Sequence, residues 1–143
     1  PHVIEPAFGI DRIIWHILDH CYTETEKEGE KYSIMSLSTS VSPFDVAILP
    51  LFDKDGMGDV ASEILVRVNS MPGLRGEMDS SKSIGRRYAR IDEIGVPWAI
   101  TVDHETLENG SVTIRRRDDQ KQVRASVDDV VSNLAAGTVS SLF

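Results

Sequence analysis

The opening string PHVIEPAFGIDR sets a carboxylate, Glu5, and a guanidinium, Arg12, on either side of Gly9. Its pattern predicts a short apolar strand at Val3 and Ile4 that ends at Glu5-Pro6. Gly9 then lends the turn its freedom, and an amphipathic helix follows with Arg12 in its first turn. A carboxylate suits an ammonium group, and an arginine at the positive end of a helix dipole suits a phosphate gripped as a planar fork. A second cluster is basic. Lys82, Arg86 and Arg90 recur every four residues, with Arg87 beside them, and so make a ridge along one helix face. Arg115 and Arg117 alternate with Arg116 along a strand, so the first two share a face and the third takes the other. His16 and His20 have the i, i+4 spacing of a metal pair. No third ligand follows at a suitable distance, so they read as solvent-facing histidines and no metal site is expected. There is no Ser/His/Asp constellation and no Gly-rich phosphate cradle.

The elements that must hold these residues follow from periodicity. Ile10, Ile13, Ile14, Ile17, Leu18 and Cys21 form one apolar helical stripe over residues 9 to 21. Without partners that stripe would need cover, from the rest of this chain or from a second copy. Residues 22 to 43, charged and then rich in Ser and Thr, read as a connector with at most one short strand at Ile34 to Leu37. FDVAILPL (Phe44 to Leu51) and PWAITV (Pro97 to Val102) read as strands buried on both faces. A helix capped by Asp59, with Val60, Ile64, Leu65 and Val68 inward, lies between them, followed by a shorter strand within 73 to 79. Ser83 opens the basic helix and Gly95 with Pro97 ends it. Strands at Ser111 to Arg117 and Gln122 to Ala125 precede a last helix opened by Ser126 and Asp129. The sum is α/β: a mixed, mostly parallel five-stranded sheet flanked by helices, preceded by a strand–helix unit. The boundary falls near residue 40, giving segments 1–40 and 41–143.

The chain has 143 residues, 41% apolar and 27% charged, with a net charge of -8. No apolar run approaches the ~20 residues of a membrane-spanning helix, and no signal-peptide pattern is present. A lone Cys21 fits a reducing compartment. The charge is uneven. Residues 82 to 124 hold nine of the fifteen Lys and Arg but seven of the twenty-three acids, so that window carries +2 and the remainder -10. Local potential steers a polyanion better than total charge does.

VIEPAFGIDR resembles the third signature motif of class II aminoacyl-tRNA synthetases, in the form found in glycyl enzymes of the archaeal and eukaryotic type. IGRRYARIDEIGVP and TVDHETLENGSVTIRRRD look like the C-terminal anticodon-binding domain of class IIa synthetases. The two motifs occur in the expected order, and the likeness covers nearly the whole chain. The resemblance implies that Glu5, Pro6 and Ala7 bind glycine and that Arg12 holds the terminal phosphate of ATP. The family usually reads Glu-Pro-Ser, so Ala7 lacks an expected hydroxyl. It also implies a larger cytoplasmic glycine–tRNA ligase, of which this chain is a piece. That ligase would be homodimeric through its catalytic domain, would use ATP with Mg2+, and would charge tRNA-Gly. Residues 41–143 then bind tRNA, with Lys82, Arg86, Arg87, Arg90, Arg115 and Arg117 as candidate contacts. Phe52, Trp98 and His104 are open candidates for stacking on anticodon bases, although Trp98 lies in a buried strand pattern. Alternatives are a prolyl, threonyl or histidyl synthetase, or a non-catalytic nucleic-acid-binding accessory protein built on the same domain.

Overall fold

The computed structural model describes residues 1–27, 29–52 and 55–143. Helix α1 (Ile10–Cys21) leads into a hairpin, β1 (Tyr22–Lys27) and β2 (Glu30–Met35). There follow β3 (Val46–Pro50), α2 (Met57–Ser70), β4 (Gly76–Met78), α3 (Ile84–Ile94), β5 (Trp98–Val102), α4 (His104–Asn109), β6 (Ser111–Arg116), β7 (Gln122–Ser126), α5 (Val127–Ala136) and a 3-10 turn, Val139–Leu142. The main sheet has the order β4-β3-β5-β6-β7. β3 runs parallel to both β4 and β5, whereas β6 is antiparallel to β5 and to β7. The expected mixed five-stranded sheet is present, with β6 as its reversed strand.

The alternation of β3 and β5 divides the core in two. Val46, Ile48, Ile100 and Val102 face α2 and α5, joined by Met57, Ala61, Ile64, Val68, Val130, Val131 and Leu134. Ala47, Leu49 and Ala99 face the other way, against Ile91 of α3 and Val96. That side is smaller and is completed by polar groups. Asp92 of α3 is fully buried, and Arg115 of β6 meets it with two hydrogen bonds of 2.9 and 2.8 Å. The Tyr32 hydroxyl of the hairpin donates to the same carboxylate, and the Arg115 guanidinium lies over the Tyr88 ring. Burial, then this bond, raise the Tyr32 phenol well above its ordinary range.

Several expectations are corrected. Val3 and Ile4 form no strand, because among the described residues no neighbouring strand takes their hydrogen bonds. Gly9 needs no special freedom: it is extended, with φ −80°. The connector is instead a regular hairpin, pairing Tyr22 with Met35 through Lys27 with Glu30. Gly29 at φ +81° makes its turn. Alternating Thr and Glu on β1 has the period of a strand, which the high charge masked. Asp59 is not the cap of α2, which starts earlier, at Met57, with Gly56 in the left-handed region. The turn expected over 53 to 58 lies partly outside the described residues. α1 forms as expected, yet none of its residues is buried; Ile10 and Trp15 are about 70% exposed.

Gly95 closes α3 at φ +89°, and a Cβ there would sit 2.9 Å from Leu37 Cδ1 and 3.0 Å from the Met35 carbonyl oxygen. The end of α3 and the exit of the hairpin therefore need glycine twice over. Gly95→Ala is expected to lower the urea midpoint through strain and steric displacement, at a cost of at least ~1 kcal/mol. Asp92→Ala, which strands Arg115, is expected to cost about 3–5 kcal/mol in the same measurement.

Candidate nucleic-acid interface

The connections of the central strands place the interface. α2 leads from β3 outward to β4, whereas α4 leads from β5 the other way along the sheet, to the antiparallel β6. β3 and β5 are adjacent parallel strands whose connections diverge, and the region beyond the carboxyl ends of such a strand pair is where ligands of open sheets bind. Phe52 lies just past β3, and His104 opens α4 just past β5. Their rings are 6.2 Å apart, tilted by 45°, and both are exposed. An exposed aromatic pair at this edge can stack on unpaired bases. Phe52 is followed by residues 53 and 54, which lie outside the described set.

Buried and half-buried charges hold this edge in shape. Arg87 of α3, only 3% exposed, has no carboxylate partner among the described residues. It donates instead to the carbonyls of Pro50, Leu51, Asp79 and Lys82, and so caps the ends of β3 and β4 and the loop before α3. Beyond β5, Asp103 caps α4. Its carboxylate accepts from the Thr106 N–H at 3.1 Å, while the Thr106 hydroxyl accepts from the Asp103 N–H at 3.0 Å. Arg124 of β7 grips the same carboxylate with two bonds of 2.7 Å. The hydrogen bonds from Arg124, reinforced by Thr106 against partial burial, hold the Asp103 carboxyl down at about 2. α4 was not expected from the sequence, although the Asp103-His-Glu-Thr106 capping box was there to read.

The candidate cations separate sharply. Arg87, Arg115 and Arg117 are buried and committed inside the fold, Arg117 donating to the Gly95 carbonyl at 2.8 Å and pairing with Asp118. Buried guanidiniums with these partners do not reach phosphates, so the structure removes all three from the candidate surface. Arg115 and Arg117 do share a face, as their alternation implied, but it is the inward one. Arg90 is bound to Asp79, whose carboxyl stays below its ordinary range. Partial burial raises that carboxyl, but bonds from Ser81 and Arg90 outweigh the burial. Lys82 and Arg86 are exposed, and among the described residues neither side chain has a carboxylate partner. Lys82 has φ +60°, a left-handed position in the loop that Arg87 clamps.

Trp98 is half-buried, with its ring 5.7 Å from Phe143, and so belongs to the packing at the opposite edge. Glu5, Pro6, Ala7 and Arg12 are exposed. Among the described residues, Glu5 and Arg12 form no ion pair with each other or with any other group. Those two charges are positioned here by local chain alone. The His16 and His20 rings stack 6.2 Å apart on the exposed side of α1, and no metal-capable cluster is found among the described residues.

Acid titration checks the Asp103 geometry. A carboxyl depressed from 3.8 to about 2 contributes stability that is present above about pH 4 and lost as pH falls toward 2. Arg124→Gln is expected to remove roughly 1 kcal/mol of that acid-sensitive stability, an amount reduced by solvent screening. Melts between pH 5 and 2 should therefore converge for the two proteins at the acid end; parallel curves would contradict the assignment.

Residues 45–136 match the family described as the anticodon binding domain. The chain is 47% identical over 142 residues to the glycine–tRNA ligase of Methanothrix thermoacetophila, covering 97% of this chain and 24% of that protein. It is 51% identical over 134 residues to that of Methanothermobacter thermautotrophicus, covering 94% and 23%. The chain thus spans about a quarter of the length of these relatives. Among solved structures, prolyl-tRNA synthetase from Cryptosporidium parvum, complexed with L-proline and AMP, shares the fold. Its TM-score is 0.64 at 21% identity, covering 76% of this chain and 24% of that one.

Proposed function

The chain belongs to the anticodon-binding domain family, and from that premise we propose that it is the anticodon-recognising end of a glycine–tRNA ligase. In this reading the whole protein activates glycine with ATP and charges tRNA-Gly. Residues 41–143 form the anticodon-binding unit, and residues 1–40 are the end of the catalytic domain. The glycyl assignment is supported by 44–51% identity to archaeal glycine–tRNA ligases over at least 92% of the chain. The observation that carries the anticodon reading is the exposed Phe52–His104 pair at the strand switch point. Bases splayed from an anticodon loop would stack there, and Lys82 and Arg86 would meet the adjoining phosphates.

Glu5, with Pro6 and Ala7, would contact the glycine, and Arg12 the ATP phosphate. The third of the class signature motifs is present in the sequence, and no further ATP-binding motif accompanies it. Activation of an amino acid on a carboxylate-and-arginine frame needs several charges placed in line at once. The Mg2+ that ATP chemistry uses finds no carboxylate cluster among the described residues, so no step in this chain is assigned to it. A cytoplasmic, homodimeric ligase is part of the same proposal.

Two measurements test it. The 143-residue chain alone is expected to show no glycine-dependent ATP–pyrophosphate exchange, and robust exchange would contradict the division of labour proposed here. In binding to a tRNA-Gly anticodon stem–loop, Phe52→Ala should lose about 1–3 kcal/mol, the worth of one stacked base. The same variant should discriminate less well against substituted anticodons. An unaltered affinity and selectivity would move the base-reading surface away from the β3/β5 crevice.

A further inference from the structure

From the cleft between the hairpin and α3 we infer a second RNA-binding surface, one that takes phosphodiester backbone rather than bases. It rests on the anticodon-domain reading for the identity of the polyanion as tRNA. The cleft has a volume of about 430 Å³, within the roughly 300–1,000 Å³ range of small-ligand sites. Lys27 and Lys31 stand on its hairpin wall and Arg86 on its helix wall, with Glu30 as the one exposed acid of its lining among the described residues. On a chain of net charge -8, these three exposed cations outnumber the described acids beside them, Glu30 in the lining and Glu24 paired with Lys31, so the opening keeps a small positive excess that attracts polyanions. Arg86 is in the first turn of α3, and Lys82, also exposed, lies in the loop just before that helix.

The walls are held in place before anything binds. Lys27 Nζ donates to Gln120 Oε1 at 2.9 Å and sits 5.2 Å from the centre of the Tyr32 ring, which leaves two of its three protons for an incoming acceptor. Tyr32 is itself bonded to Asp92, which Arg115 chelates from below. The cleft floor is thus a buried, satisfied polar network, and binding need not order the walls. Lys31 is paired with Glu24 at 2.9 Å, but that pair is solvent-exposed and open to exchange for a phosphate. The chemistry is that of backbone tracking: single charges without a base-edge acceptor or donor set, hence independent of sequence.

The test is the salt dependence of tRNA-Gly binding by the full chain, comparing wild type with Lys27→Gln/Lys31→Gln and, separately, Arg86→Gln. Two lost phosphate contacts should lower the slope of log affinity against log salt by about 1.4–1.8, and one by about 0.7–0.9. Selectivity for the anticodon should not change in either variant, whereas Phe52→Ala should change selectivity and leave the slope alone. A wild-type slope in Lys27→Gln/Lys31→Gln, with an unchanged thermal midpoint showing an intact fold, would overturn the cleft while leaving the crevice reading intact; a wild-type slope in Arg86→Gln as well would remove Arg86 from both. No tRNA binding by wild-type chain would overturn both.

Discussion

One fully buried carboxylate, Asp92, organises half of this molecule. It cannot be left without partners in a low-dielectric interior, and it has three donors: two from Arg115 and one from Tyr32. Those donors come from different elements, β6 and the hairpin, while Asp92 itself is on α3. Each of the three must therefore sit in one register relative to the others. Arg115 is further confined by the face of Tyr88, whose hydroxyl is bonded to Thr101 of β5. A hydrophobic contact would tolerate sliding; a chelated, desolvated ion pair does not. The hairpin, written in charged residues that could not build a core, is thereby tied to the sheet domain.

This arrangement explains why the two faces of the sheet differ. The α2/α5 face is closed by aliphatic side chains and gains its stability from burial. The α3 face has few apolar residues and is completed by Asp92, Arg87, Arg115 and Arg117. Arginine is suited to that use, because its planar fork satisfies several acceptors at once. Arg87 shows this most fully, since four main-chain carbonyls, three just at or past the ends of β3 and β4 and one in the loop before α3, share one guanidinium. The same residue that looks like an RNA contact in the sequence is the clamp that gives the strand-end crevice its shape.

A consequence concerns charge. The basic segment is real, but most of its cations are spent inside the domain or on neighbouring acids: Arg90 on Asp79, Arg116 on Asp119, Arg124 on Asp103. What remains to attract a polyanion is a narrow set lying along α3 and the hairpin. An acidic protein with such a path would hold RNA through a few screened contacts and derive selectivity from bases at the aromatic pair. Affinity of that kind is strongly salt-dependent.

Apart from the short helix α4, sequence alone determined the element order from β3 onward, because the two apolar runs, the 3.6-residue stripes and the glycine stops at Gly95 and Gly137 are local signals. It also determined the family likeness, the motif-bearing segment with Glu5 and Arg12, and the shared face of Arg115 and Arg117. It left undecided what that face meets. Strand alternation says that two residues point the same way, but whether that way is water or Asp92 depends on a helix twenty-odd residues earlier in the chain. The hairpin went unread because its stability comes from cross-strand pairing and from Tyr32 on Asp92, not from any apolar pattern of its own. The crevice at Phe52 and His104 is likewise a product of topology: fifty-two positions separate the two rings in the chain, and only the parallel pairing of β3 with β5 brings them together. Periodicity is a property of a few neighbouring residues, whereas the fate of a charge is set by whichever distant group folding places beside it.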